Sequence, residues 1–358
     1  MRCHAGPEGS KVRNSRARSG SPGACTMPEM PRIVPPIQES IVEAASHLRA
    51  GGVVAFATET VYGLGADTFN LNAIDRVYAL KGRPFDNPLI AHVLDVAMAR
   101  EILAESWDDR CSALATRFWP GPLTMIVPKR REVPDRATAG RATIAIRCPD
   151  HPAALQLLRA LGSPISAPSA NRSGQVSPTT AQHVADEFAE VEDLLILDGG
   201  PCVVGIESTV LDMTREPPEI LRPGSITLDD IARVIGEARL REWHVQDASP
   251  GTSPRHYAPR APLRLLNGHD LRNEIVTLRG RSCAVLAFPP LSRALRRRNE
   301  LTLFTMPDDP VQYAARLYAT LREADGAGVH AILIEAPPKD DERWTAVLDR
   351  LRRASARS

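Results

Sequence analysis

The chain has 358 residues, 43% hydrophobic and 24% charged, with 44 Lys and Arg against 43 Asp and Glu for a formal net charge of +1. Room for about two domains follows from that length, and bulk disorder is excluded by that composition. No apolar run approaches the ~20 residues that span a bilayer, which excludes an integral helical membrane protein, and the near-zero charge argues against whole-surface binding of a polyanion.

Lysine occurs only at Lys11, Lys81, Lys129 and Lys339. Arginine carries nearly all the positive charge, so the lysine at Lys81 stands out within its motif. The six cysteines, Cys3, Cys25, Cys111, Cys148, Cys202 and Cys283, form no CxxC pair and have no histidine at zinc-ligand spacing. Buried free thiols in a reducing compartment are expected, not a disulfide scaffold or a structural zinc site.

In chain order, residues 1–30 are rich in Gly, Ser, Pro and Arg and have no apolar period, so they read as a disordered tail. They lack the apolar core of a secretory signal, and their glycines and prolines prevent the amphipathic helix of a transit peptide. Met27 and Met30 are alternative starts, and deletion of the tail is expected to leave stability and activity unchanged. Order begins near Ile33. Ser40–Ala50 reads as a helix with Ile41, Val42, Ala45 and Leu48 on one face, ended by Gly51-Gly52. Val53–Ala57 is a short strand, and Asn72–Leu80 a helix presenting Ile74, Val77 and Tyr78. Leu89–Val93, Leu123–Val127 and Thr143–Arg147 read as strands, Pro152–Leu161 as a helix and Ile165–Ala167 as a strand. Ser177-Pro178 opens a further helix, with Ser177 as N-cap. Leu194–Leu197 and Ser208–Asp212 are strands and Leu228–Arg239 is a helix.

The texture then changes. Trp243–Pro262 holds four prolines and no period, the mark of a linker. Beyond it Leu263–Leu266, Cys283–Phe288, Leu301–Met306 and Ala331–Glu335 read as strands, and Val311–Ala324 and Arg343–Arg352 as helices. The alternation predicts a small α/β domain. Its Arg296-Arg297-Arg298 run reads as a solvated loop. The expected division is a tail over 1–30, a catalytic domain over 31–240, a Pro-rich linker over 241–262 and a C-terminal domain over 263–358.

Four clusters carry candidate chemistry. Thr58-Glu59-Thr60-Val61-Tyr62-Gly63-Leu64-Gly65 follows a buried strand. It is either a ligand-binding strand end or a polar turn needing two flexible glycines. Lys81-Gly82-Arg83-Pro84, then Asn87-Pro88-Leu89 and His92, follow a helix. The cations complement the helix dipole, yet Pro84 and Pro88 stiffen the loop, and a fixed Lys–Arg pair suits a polyphosphate. His92 on its own is equally compatible with a satisfied core histidine. Ser166–Gly174 with Ser177-Pro178-Thr179 offers hydroxyls, amides and glycine between a strand and a helix, as phosphate-binding loops do. It lacks P-loop spacing. Gly205-Ile206-Glu207-Ser208-Thr209-Val210, followed by Leu221-Arg222-Pro223-Gly224, adds another hydroxyl strand and another proline-anchored arginine. No Ser-His-Asp set, HExxH or dinucleotide fingerprint is present.

Taken together, TETVYGLG, KGRP with DNPL and His92, APSANRSG with SPT, GIESTV and LRPGSI resemble the YrdC-like family of L-threonylcarbamoyl-AMP synthases from about Ile33 to Ala238. SPGTSPRHYAP at Ser249–Pro259 and the region after it resemble the family's two-domain long form. One departure is Ala57, where the family usually carries proline. The resemblance implies a twisted mixed-sheet YrdC-like domain followed by a smaller Rossmann-like α/β domain. It implies a cytoplasmic nucleotidyltransferase that converts L-threonine, bicarbonate (or CO2) and ATP into threonylcarbamoyl-AMP and pyrophosphate, for t6A modification at position 37 of tRNA.

Carried over by motif, Thr60, His92, Arg147 and Ser208, with the backbone of Ala167, surround threonine. Arg83, Asn87, Thr143, Ser169, Ser177, Arg222 and Tyr257 surround ATP, and Lys81 and Arg83 stand beside the phosphates as the catalytic cations. Mg2+ is expected bound to substrate phosphates without a dedicated protein site. Hand-over of product to a tRNA threonylcarbamoyl transferase complex is implied, with direct tRNA binding weak or indirect and no membrane partner. Arg255, His256 and Tyr257 suit the phosphates and adenine of ATP, so Ser249–Pro259 is expected to close over the nucleotide as a lid. Two other readings use similar residues: a YrdC-like RNA-binding module without catalysis, which needs a broad basic concave face, and a carbamoyl transferase for another acceptor.

Overall fold

The computed structural model of the chain describes residues 31–241, 256–278 and 280–356. The expectations for residues 1–30, and for Ser249 to Arg255 of the expected lid, lie outside them.

Among the described residues eleven strands form the larger, mixed sheet: β1 (Arg32–Val34), β2 (Val54–Phe56), β3 (Gly63–Asp67), β4 (Ile90–His92), β5 (Leu123–Pro128), β6 (Thr143–Arg147), β7 (Ile165–Ala167), β8 (Leu195–Leu197), β9 (Thr209–Asp212), β10 (Glu219–Arg222) and β11 (Arg239–Leu240). Their spatial order is β1-β8-β2-β3-β7-β4-β6-β5-β9-β10-β11. Most of these strands are short and buried on both faces, because helices cover them. Gln38–Arg49 and Pro152–Leu161 pack together through Ile41, Ala44, Leu48, Leu157 and Leu158, over Phe56 and Leu197. Each such leucine or isoleucine contributes roughly 1.5–3 kcal/mol on full burial. The buried stripe of the first helix is Ile41, Ala44, Ala45 and Leu48, and Val42 is exposed. Val42 falls about 100° around the axis from Ile41, outside the face that the i, i+3, i+4, i+7 spacing turns inward.

The smaller sheet holds β12 (Leu263–Leu266), β13 (Cys283–Ala287), β14 (Leu301–Thr305) and β15 (Ala331–Glu335) in the order β12-β15-β13-β14, with every pairing parallel. A single apolar core joins the two parts. Val61, Ile206 and Tyr257 from the side of the larger sheet pack with Leu317, Tyr318 and Leu351 from the helices Pro310–Gly326 and Thr345–Ser355.

Several expected elements differ from the observed ones. Gly63 and Gly65 do not make a turn; they lie in β3, antiparallel to β2 and β7. A Cβ at Gly65 would stand 2.6 Å from Ile165 Cγ2 and 2.7 Å from Phe56 Cε1, so close strand packing requires the glycine. Ser177 does not cap a helix. The helix runs from Ala181 to Glu187, and its N-cap is Thr180, whose hydroxyl accepts from the His183 N–H. The Ser177 hydroxyl is turned away, donating to Glu207. The helix expected over Leu228–Arg239 stops at Ile235, where Gly236 takes φ +87° and the chain re-enters the sheet as β11. Cys111, Cys148, Cys202 and Cys283 are buried free thiols.

Candidate active site

The strand register assembles the site. On the parallel neighbours β4 and β6, His92 stands directly beside Arg147. On the other side β7 pairs with β4, bringing Ala167 opposite Ile90, and an isolated bridge joins Gly63 to Ser169. β9 continues the sheet beyond β5, and Ser208 immediately precedes it. Residues from four separate motifs therefore converge on one narrow cleft, with about 50 Å³ free between its walls.

Thr60, Arg83, His92, Arg147, Ala167, Ser169, Ser208, Arg222 and Tyr257 all line this cleft. Lys81, Asn87, Thr143 and Ser177 do not. The Lys81 ammonium lies behind the wall, donating to the carbonyls of Ser169 (2.5 Å) and Asn171. Burial and the nearby Arg83 charge push its pKa well below the ordinary lysine value. Asn87 is a support: its side-chain oxygen accepts from Arg83 Nη2 at 2.6 Å, and its carbonyl accepts from Arg83 Nε at 3.0 Å. Thr143 opens β6, four residues before Arg147, and pairs with Pro128.

At one end of the cleft, Arg147 is fixed from three sides. Nη1 donates to the Thr60 hydroxyl at 2.8 Å, Nε to the Gly121 carbonyl at 3.3 Å, and Nη2 pairs with Glu59 at 2.6 Å. Glu59 also accepts from the Asp150 N–H. His92 packs edge-on to Phe56, and its Nδ1 lies 3.3 Å from the Ile165 carbonyl. Burial and the Arg147 charge push its pKa down to about 3, so the ring is neutral at physiological pH. With Nδ1–H donated to Ile165, Nε2 remains as an acceptor.

At the other end, Arg83 is held by Asn87 and the Pro88 carbonyl. Burial lowers its pKa to about 10, leaving it charged. Arg222 donates to the carbonyl and hydroxyl of Ser208 at 3.0 and 3.1 Å, and the Ser208 hydroxyl also meets Thr124 at 2.7 Å. His256 and Tyr257, entering from the linker side, are both buried. Burial pushes His256 down to about 3, and its Nδ1 has no hydrogen-bond partner among the described residues. Tyr257 adopts φ +60° and stacks on Tyr318. Two neutral rings and two fixed guanidiniums in a confined space suit an anionic ligand with a planar part.

Sequence reasoning left four buried residues here without a role. Glu59 and Glu207 sit inside quoted motifs, and an acidic residue among hydroxyls and arginines was a readable signal. Tyr318 and Arg350 come from the C-terminal helices, and nothing local marks them. A second, larger hollow of about 280 Å³ opens along the seam between the two parts. Its lining is largely apolar, with Asp309, Glu342 and Arg343 among it, and none of the residues predicted for the substrates reaches it.

A family model described as "telomere recombination" matches residues 46–224, and one described as "threonylcarbamoyl-AMP synthase, C-terminal domain" matches residues 226–356. The threonylcarbamoyl-AMP synthase of Pyrococcus abyssi is 41% identical over 326 residues, covering 87% of this chain and 93% of its own. That of Bacillus subtilis is 40% identical over 332 residues, covering 88% and 92%. Among solved structures, Pyrococcus abyssi Sua5 complexed with L-threonine superposes with a TM-score of 0.79 at 39% identity, covering 88% of this chain and 94% of that one.

Proposed function

This chain belongs to the threonylcarbamoyl-AMP synthase family and is an enzyme of that activity, and we propose that its cleft joins L-threonine, bicarbonate or CO2 and ATP, releasing pyrophosphate. The observation that carries this assignment is the convergence of Thr60, His92, Arg147 and Ser208 with Arg83, Arg222 and Tyr257 on one cleft. The threonine amine adds to CO2 to give a carbamate, its proton passing to solvent. A carbamate oxygen then attacks the α-phosphorus of ATP, and the bond to the β-phosphate oxygen breaks.

In this reading Arg147 faces the amino acid's carboxylate, while neutral His92 accepts a hydrogen bond through Nε2. Arg83 and Arg222 stabilise charge that builds on the phosphates, already oriented before the reaction. Lys81 acts through the Ser169–Asn171 carbonyls it holds, keeping that loop against the phosphates. Asn87 and Ser177 support the nucleotide end through Arg83 and Glu207, and Thr143 lies at its margin. No group of three His, Cys, Asp or Glu side chains fit for a metal exists among the described residues. Both Glu207 carboxylate oxygens are taken up, by Ser177 and by Tyr318 and Arg350. Mg2+ would then enter as the companion of the triphosphate, held by its phosphate oxygens.

No helix among the described residues is long and apolar enough to cross a membrane. We place the reaction in the cytoplasm, with the product passed to a tRNA threonylcarbamoyl transferase for t6A formation. The test is pyrophosphate release, which should require threonine. A site that hydrogen-bonds the substrate hydroxyl rejects the analogue lacking it by orders of magnitude, so turnover on threonine should far exceed that on valine, with serine between. Threonine-independent release, or equal rates on valine and threonine, would overturn the assignment.

A further inference from the structure

The established activity leaves the C-terminal domain without a part in the chemistry, yet one of its side chains reaches the wall of the cleft. Arg350, on the helix Thr345–Ser355, is fully buried. Its Nε donates to Glu207 Oε2 at 2.8 Å, its Nη2 to the Glu207 carbonyl at 3.3 Å, and its Nη1 to the Pro223 carbonyl at 2.9 Å. The guanidinium carbon lies 5.3 Å from the centre of the Tyr257 ring. A second C-terminal residue, Tyr318, donates to the same Glu207 carboxylate at 2.9 Å.

Arg350 also pairs with Asp349 on its own helix, which Arg353 holds as well, but its contacts to the larger part are selective. Glu207 accepts from Ser177 at 2.6 Å, Pro223 directly follows Arg222, and Tyr257 is touched itself. Ser177, Arg222 and Tyr257 are three of the residues assigned to the nucleotide. Of the residues assigned to threonine, Thr60, His92 and Arg147 are held by Glu59, Gly121 and Ile165 instead, and only Ser208, bonded to Arg222, adjoins this network. Nor is the arrangement one that stability alone would favour. A buried ion pair rarely beats a well-packed apolar pair of the same volume, whereas leaving one charge without its partner is strongly unfavourable. A bare Glu207 carboxylate in the wall of a triphosphate site would also repel the ligand.

We infer that Arg350 is a positioning residue for the reaction: by neutralising and orienting Glu207 and bracing Tyr257 and the Arg222–Pro223 turn, it makes docking of the C-terminal domain a condition for a competent nucleotide end. The inference rests on the nucleotide assignment proposed above. It gives the second domain a chemical part, completing one end of the cleft and leaving Thr60, His92 and Arg147 at the other independent.

The experiment uses the full chain and the variants Arg350→Lys, Arg350→Met and Arg350→Met/Glu207→Gln. Titrations with a non-hydrolysable ATP analogue and with L-threonine are run alongside steady-state pyrophosphate release. Arg350→Met should weaken the analogue and raise the KM for ATP at least tenfold, while threonine affinity changes less than threefold. Arg350→Lys should lie between, because one ammonium cannot reach all four oxygens that Arg350 meets, Asp349 Oδ2 included. Adding Glu207→Gln removes the uncompensated charge and should recover most of the lost nucleotide affinity, which a merely structural loss would not allow. Threonine binding also reports that each variant's catalytic domain is folded. Equal weakening of both ligands, no change in either, or no recovery in the double variant would overturn the inference. A wild-type chain that binds the analogue but releases no pyrophosphate would overturn the synthase reading alone, and one that binds no analogue would overturn both.

Discussion

His92 and His256 carry a charge state set by burial, not by solution pH. Both are pushed down to about 3, against about 6.5 in an unfolded chain. Between those values the unfolded chain binds more protons than the folded one, so stability falls as pH drops from about 6.5 towards 3. Glu207 adds to the same slope. Burial would raise its pKa, but the Arg350 and Arg222 charges hold it at about 2, so its contribution is lost as pH falls from the ordinary carboxylate range through 2. Thermal midpoints measured from pH 7 to pH 4 should fall steadily, and the His92→Gln variant should show a shallower slope. Threonine affinity should show no inflection near 6.5 from His92. The neighbouring arginine makes a different kind of test. Arg83 is already oriented by Asn87 and Pro88, so it loses nothing to reorganisation when charge develops on the phosphates. Removing a preorganised donor of this sort costs about 2.7–4 kcal/mol of transition-state stabilisation. Arg83→Ala should therefore lower kcat/KM for ATP by about 100- to 1000-fold. Asn87→Ala should cost less, because the Pro88 carbonyl still holds the guanidinium. A near-normal rate for Arg83→Ala would make the residue a helix-end charge only.

At the level of elements, what could be read depended on where each signal resides. Thr143–Arg147 and Pro152–Leu161 have the bounds that apolar patterning predicts, because a buried strand and an amphipathic helix print their period directly into the chain. The helix Asp109–Phe118, absent from the expected elements, carries the same kind of stripe, Cys111, Leu114, Ala115 and Phe118. β3 was concealed for a physical reason. Its two glycines look like punctuation, whereas they are there because side chains from β2 and β7 occupy the space a Cβ would need. β10 is masked by the prolines on either side of it, Pro217, Pro218 and Pro223. The site divides in the same way. Residues in compact motifs could be named from the chain, but the Glu207–Arg350 pair joins positions 143 apart, and no local pattern encodes a partner at that distance. β3 offers a direct check. Gly65→Val places branched carbon where Ile165 and Phe56 already are, and overpacking of this kind typically costs about 1–3 kcal/mol. Denaturant unfolding should show a lower midpoint by that amount. Gly140, where a Cβ would meet nothing within 4 Å, separates steric from backbone cost: Gly140→Ala should lose only the smaller penalty of its positive φ.

Across the whole molecule, the two sheets are joined by one continuous apolar core and by the buried Arg350–Glu207 pair. The loop that carries Glu207 also makes a close approach across the seam. Gly205 has φ +75°, and a Cβ there would lie 2.5 Å from Ala315 Cα and 2.6 Å from the Ala314 carbonyl oxygen. Those atoms are main chain of the helix Pro310–Gly326 and cannot swing aside as a side chain would. Gly205→Ala must therefore either strain its own loop or push the helix away. The left-handed conformation alone costs a residue with a Cβ roughly 1–2 kcal/mol, and the collision adds to that. A displaced helix takes Tyr318 with it, loosening one of the bonds to Glu207, while Arg147, Thr60 and His92 keep their supports on the far side of the cleft. We expect Gly205→Ala to lower the thermal midpoint by several degrees and raise the KM for ATP, with threonine affinity nearly unchanged. In calorimetry the wild-type chain should unfold in one transition, because a shared core couples the two parts, and the variant should broaden or split it. A Gly205→Ala protein with wild-type melting and wild-type ATP kinetics would mean that the seam has slack, and that the second domain docks without setting the geometry of the cleft.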